Sequence, residues 1–536
     1  METSTSRRFE ALLDGYFEPL LAEHPVVSTF AGLKEGEGKL GPATLSHEVR
    51  WEKRRQQTLS RLDTLSPREL TSEQHLDRLA LRSQLLRECE DFARGRHTLD
   101  PGALDAVLNI LLHELQRGDD EPARAARNLR ALLRATPRYL EQSASLIDQP
   151  ERVWRKIMEQ TAATAGSLFD AVATYLERAG KTPRDAQLIA GARQAFTRYH
   201  DHVMARPLAP EGSFAIGANA LQRRVRDQLG LDYTLGEIEA LALGEVERVG
   251  ALLQTECAKH GKNRRAEEII REAREAWDPG ADLLGVYRSQ TKRVADAFRA
   301  AKAVDFPKGD ELQVRPVPDF MRHLFPTAAY SSPGAFERRQ RGVFWVNDLS
   351  VTKTSAAEQK AERQQHFGLG LTCAHEAYPG HHLQFVTANR HPRRWRRLFA
   401  HAVFYEGWTL WCEQMMVDLK VDRSPWLRVQ QLHDALWRCH RILVDLRLQT
   451  GRYSYDQATA HMRRHLSFTQ ARAEGDVNWY TGSPSVPMSY WLGRLENERL
   501  RRRLVEGRGW SLRQFNNWLI SFGTLPQAWI EKYGLD

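Results

Sequence analysis

The chain has no apolar run approaching the roughly 18 residues that a membrane-spanning helix needs, so no membrane partner is expected. Cysteine is scarce. Cys89, Cys257, Cys373, Cys412 and Cys439 are odd in number, widely spread and without a Cys-x-x-Cys pair, which argues for reduced thiols and against a disulfide framework or zinc finger. Charge of one sign is also missing, since 77 basic and 68 acidic residues leave a net +9 spread along 536 residues. The densest basic clusters, Arg393 to Arg397 and Arg499 to Arg503, come without a groove-reading motif. They read as helix faces, and no nucleic-acid partner is expected. Internal repeats and low-complexity segments are absent. At the N-terminus, Glu10 and Asp14 interrupt any apolar signal core after Arg7 and Arg8, so the expected location is cytoplasmic, with a first helix from about Ser6.

What the chain does have is helical periodicity. Apolar residues recur at three- and four-residue intervals in stretches such as Leu104 to Leu115 and Ala125 to Leu140, which predicts long packed helices. Breaks at Pro101-Gly102, Pro207 to Gly212, Pro279-Gly280 and Pro307 to Gly309 divide them. Two short alternating runs, Glu311 to Val317 and Gly342 to Asn347, predict strands of a small sheet, where an extended peptide could add as a further strand.

The chemistry concentrates in His375-Glu376-Ala377-Tyr378-Pro379-Gly380-His381-His382. A zinc-hydrolase signature places two histidines four apart on one helix with a glutamate between them as general base, but Pro379 stands where the second histidine would be. His382 comes close to one helical turn later and returns to the face of His375. Seven residues of straight helix would leave the two roughly 10 Å apart, so Pro379-Gly380 must bulge the chain. His381 would then point about 100° away and serve as a donor behind the ligands or as a substrate contact; the alternative, that His381 is the ligand, stays open. Cys373 points about 200° from His375 and reads as packing. Glu406, after the amphipathic stretch Trp395 to Tyr405, is the candidate third ligand, carried back on a second helix.

These residues resemble the gluzincin metallopeptidases and, more narrowly, the domain of unknown function 885 family. Its His-Glu-x-x-Pro-Gly-His-His-Leu-Gln core and Glu-Gly-Trp segment are matched by His375 to Gln384 and Glu406 to Trp408. The angiotensin-converting-enzyme branch has a similar Gly-His-Ile-Gln-Tyr continuation, which implies His382 as the second ligand. The resemblance extends to Leu312 to Asp319, Ala328 to Tyr330, Gly342 to Asn347 and Pro484 to Gly493, and is thinner in the first half of the chain. Two segments depart from the family. Gln449 stands where the family has histidine and Arg447 where it has glycine, after Arg441 and Asp445; Pro484-Ser485-Val486 replaces Pro-Gly-Gln.

The expectation is therefore a mainly α, large two-lobed, gluzincin-like metallopeptidase fold with a small β-sheet near the active-site cleft. Residues 1–305 would form an N-terminal helical lobe and 306–536 the zinc lobe, as one continuous unit. Zn2+ would be held by His375, His382 and Glu406, with Glu376 as general base and Tyr490 as donor to the oxyanion. Glu413, seven residues after Glu406, reads as a ligand-orienting group or, more simply, as a solvated carboxylate. His381, Arg441, Gln449 and Tyr480 are the candidate substrate contacts, Arg441 because its guanidinium fork suits a carboxylate. The substrate would be a short peptide. The alternatives are a small amide in a specialised metabolite, or no substrate at all in a helical binding protein that kept the metal site. The sequence gives no oligomeric state.

Overall fold

The computed structural model describes residues 3–118, 120–318, 321–322 and 327–535. It is 69% helical and 3% strand. Asp319, at the end of a family-like segment, lies outside the described residues. No helix among them is long and apolar enough to cross a membrane.

The chain forms two compact units. One comprises Met1–Phe214 with the short segments Pro318–Met321 and Gly334–Glu337; the other comprises Ala215–Val317, Arg322–Pro333 and Arg338–Asp536. The boundary thus falls well before residue 305, where the sequence placed it. The reason is apolar packing. Ile216, Leu221, Val225, Ile238, Val249 and Ile270 share one core with Val403, Leu410, Leu432, Ile442 and Leu492, so residues 215–300 are held by the helices that follow the sheet.

The first unit is a set of helices, of which Pro122–Ala144 is representative. It buries Ala125, Leu129, Leu132, Leu133, Thr136 and Leu140 at the three- and four-residue spacing read from the sequence. The first helix, Ser4–Glu23, starts two residues before Ser6, where the Thr3 side chain accepts from the Ser6 N–H.

In the second unit three strands form one sheet: β1 (Glu311–Pro316), β2 (Ala328–Ser331) and β3 (Arg341–Val346), in the order β1-β3-β2. β1 runs parallel to β3 with Glu311 opposite Arg341, and β2 runs antiparallel with Ala328 opposite Val346. The sequence pattern anticipated β1 and β3. It missed β2, whose four residues are too few to show alternation and include two alanines of low strand preference.

Helices Ala402–Asp418 and Val486–Arg501 are in backbone contact through two glycines. A Cβ on Gly493 would meet the Val403 carbonyl oxygen at 1.9 Å, and one on Gly407 would meet the Gly493 backbone at 2.5 Å. This crossing sets the separation between Glu406 and Tyr490. Gly493→Ala is expected to force the helices apart and cost about 3 kcal/mol. Urea denaturation would measure the loss, and an unchanged midpoint would contradict the close crossing.

Candidate metal centre

The helix Leu369–Glu376 does not bulge and resume; it ends. Ala377 leaves helical geometry, and a new helix, His381–Ala388, starts after Gly380. The intervening loop folds back on the carbonyl end of the first helix so closely that a Cβ on Gly380 would lie 1.8 Å from the His375 oxygen. The indole of Trp408 donates to the Pro379 carbonyl at 2.8 Å and pins the loop from behind.

This break decides which histidine faces the site. Among the described residues, His375, His381 and Glu406 form a group whose donor atoms lie within 4.8 Å of one another. Nε2 of His375 is 3.5 Å, and Nε2 of His381 3.6 Å, from the same Glu406 oxygen. His382 points elsewhere. It is fully buried, donates from Nε2 to Asp310 at 3.2 Å and accepts the Tyr330 hydroxyl at Nδ1 at 3.0 Å, Tyr330 being part of β2. Gly342 of β3 lies against this pair, and a Cβ there would be 2.5 Å from His382 Nδ1. Contrary to the expectation of His382, the histidine that the structure brings together with His375 and Glu406 is His381. Counting turns from His375 assumed one continuous helix, and two separate helices do not share a rotational phase.

Two of the donor separations are of the size that a zinc ion would require. Two atoms each about 2.0–2.1 Å from one tetrahedral ion stand about 3.3–3.4 Å apart, close to the 3.5 and 3.6 Å separations here. The Glu406 oxygen they share is sealed from solvent and accepts no hydrogen bond within normal reach. Nδ1 of His375 donates to Glu413 at 2.8 Å, which turns Nε2 toward Glu406 as the nitrogen that a metal would take in place of its proton. Glu413 is itself buried and lies 3.4 Å from Arg438. The reading of Glu413 as a solvated carboxylate therefore gives way to its ligand-orienting role.

Electrostatically the cluster is short of positive charge. Burial would lower the His375 imidazole, but Glu406 and Glu413 outweigh it and raise its pKa to about 10. Burial would raise Glu406, but His381, His375 and Tyr490 together hold it below the ordinary range. His381, penalised chiefly by burial, falls to about 4 and presents a neutral ring. Glu376 rises to about 7, first through burial and then through Glu406 and Glu413, against the pull of His375. Its carboxylate keeps an accessible edge and makes no hydrogen bond or ion pair among the described residues.

Burial together with the nearby Glu406 carboxylate pushes the Tyr490 hydroxyl far up, so it stays protonated. Arg441 lies over the Tyr490 ring, its Cζ 4.5 Å from the centroid. The two remaining candidates are structural. Gln449 is fully buried, donates to the Tyr480 carbonyl at 2.8 Å and accepts the Ile216 N–H at 3.3 Å. Tyr480 is fully buried with its hydroxyl on Asp476 at 3.0 Å. Helix packing has thus already paired the polar groups of both. Sequence reasoning missed Asp310, since a lone Asp after Pro307 to Gly309 carries no spacing signal, and it placed Tyr330 in a family-like segment without giving it a role.

Cys257, Cys373, Cys412 and Cys439 are buried and Cys89 is half-buried, whereas the basic clusters are mostly at the surface, with Arg394, Arg499, Arg502 and Arg503 exposed. Cys373 is buried and accepts from the Thr291 hydroxyl at 3.4 Å. Arg396 is fully buried and donates to the Phe522 carbonyl at 3.0 Å, and Arg499 pairs with Glu496 and Glu531.

Residues 25–533 match the family described as bacterial protein of unknown function (DUF885). Two solved structures share the fold. A presumed lipoprotein of unknown function from Shewanella oneidensis is 19% identical with a TM-score of 0.78, over 98% of this chain and 100% of that one. A presumed lipoprotein from Colwellia psychrerythraea is 16% identical with a TM-score of 0.79, over 99% of each chain. No curated protein matches.

Two outcomes are expected. In metal-replete expression, His381→Ala should lose bound zinc by elemental analysis, whereas His382→Ala should keep it while melting at lower temperature; the reverse pattern would refute the assignment. Asp445, buried and accepting the Met488 N–H, has its carboxyl raised to about 8, chiefly by burial. The unfolded chain gives up this proton near pH 4 and the folded chain only near 8, so the group makes stability fall as pH rises across that window. Asp445→Asn should flatten this fall in denaturant titrations at pH 5 and pH 8. An unchanged slope would show that the carboxyl ionises normally.

Proposed function

The chain belongs to the DUF885 family, and from that premise we propose that it is a zinc-dependent hydrolase of gluzincin type that cleaves peptide bonds in short peptides. The observation that carries this reading is the convergence of His375, His381 and Glu406 beside an unpaired Glu376 carboxylate. Bound to these three side chains, zinc would acidify a water toward neutrality and polarise a carbonyl oxygen.

The surrounding residues divide the remaining work. Glu376, with a pKa of about 7, can accept a proton from water and return it to a leaving nitrogen at neutral pH. Glu413 fixes the tautomer and direction of His375. Tyr490, kept protonated next to Glu406, is available to donate to negative charge developing on a carbonyl oxygen. A metal site that only braces the fold has no use for Glu376. The preference for an extended peptide draws support from an open groove of about 590 Å3 along β1, lined by Leu312, Gln313, Val314 and Arg315 and reaching Tyr378 in the loop after Glu376.

Glu376→Gln is expected to lower turnover of a mixed short-peptide pool by about a thousandfold, with zinc content and melting temperature kept. Chelation should abolish wild-type turnover and added zinc restore it. Mass spectrometry of the pool reads both, and equal turnover by the variant would sink the general-base role.

A further inference from the structure

Arg441 is a buried cation without a counter-ion in contact. It is 6% exposed, its Nε is sealed from solvent with no acceptor, and its guanidinium makes no hydrogen bond or ion pair among the described residues. Aromatic rings surround it instead, with Cζ 4.1 Å from the Trp437 centroid, 4.5 Å from Tyr490, 5.3 Å from Trp479 and 5.8 Å from Tyr480. Asp476 acts on it through charge, but that carboxylate is committed to the Trp437 indole at 2.9 Å and the Tyr480 hydroxyl at 3.0 Å. Ring faces stabilise a desolvated cation, yet they leave the N–H groups in the guanidinium plane without acceptors. Such a charge is costly to bury unless an anion arrives to complete it. A planar fork suits a carboxylate, bound through two parallel hydrogen bonds.

The position of the cage adds a length. Arg441 stands 4.5 Å from the centroid of the Tyr490 ring, and Glu406 is near enough to that tyrosine to act on its hydroxyl. Adding half the ring and one close polar contact of about 3 Å puts the guanidinium roughly 10 Å from the Glu406 carboxylate. Once both ends are seated, that distance holds one or two residues of extended chain at about 3.5 Å each.

We infer that Arg441 seats the free C-terminal carboxylate of the substrate, so that the enzyme trims one or two residues at a time from the C-terminus of short peptides. The assignment rests on the hydrolase reading, and Arg441 sets specificity without touching the scissile bond.

The test uses zinc-loaded Glu376→Gln protein as a trap and calorimetry as the readout. Three tripeptide pools are compared: free acids, C-terminal amides, and amides carrying a glutamate side chain. The free acids are expected to bind at least about 30-fold more tightly than either amide pool. Arg441→Met in the same background should erase that difference with zinc content and amide binding unchanged, and Arg441→Lys, which keeps a cation in the cage, should retain part of it. Equal binding of acids and plain amides would overturn the proposal, as would glutamate-bearing amides binding like the acids, or a variant that weakens all pools alike. With active wild type, free amino acids or dipeptides released from the C-terminus support it, and cleavage far from that end overturns it. Wild-type protein that selects free acids yet cleaves nothing would sustain the carboxylate seat and sink the hydrolase reading.

Discussion

The local constraint on which the site depends is the fold-back of Ala377 to Gly380 against the end of the helix that carries His375. With the Pro379 carbonyl held by Trp408 and Gly380 pressed on the His375 oxygen, the second helix has one place to begin. Two adjacent histidines then leave in different directions. His381 turns toward Glu406, and His382 turns toward Asp310 and β2, so one dipeptide supplies both a member of the candidate cluster and the bond that ties the site to the sheet.

Around this loop the buried charges form a gradient. Glu376, Glu406 and Glu413 crowd one side, answered at close range by Arg438, and the caged Arg441 stands beyond Tyr490. A cation is missing at one end and an anion at the other. Burial makes both deficits expensive, and a substrate bound across them in the presence of zinc would relieve the two together.

Much of this was legible in the residues. Helical periodicity exposed the mainly helical character and glycine and proline breaks the strands β1 and β3, while the histidine and glutamate spacing picked out His375, Glu376 and Glu406. The errors have a common physical origin in inferring three-dimensional direction from helical phase. Phase is lost where a helix stops, which is why His382 was preferred to His381. Side-chain type alone also could not tell a substrate contact from a packed polar group, so Gln449 and Tyr480 were offered as contacts when the Ile216 N–H, the Tyr480 carbonyl and Asp476 had already claimed them. The unit boundary moved for a related reason: residues 215–300 look like more of the first half in composition, and their core partners lie more than a hundred residues ahead.

The glycine contact between the Glu406 and Tyr490 helices carries a consequence for change over time. Two backbones that touch cannot slide apart by degrees, so the ligand and the hydroxyl form one rigid jaw whose gap is fixed by main-chain atoms. On the sheet side, by contrast, His382 meets Asp310 and Tyr330 through side chains, which substitution can change without moving a backbone. Diversity among relatives should therefore collect on the sheet side, and the paired glycines should be the last positions to drift.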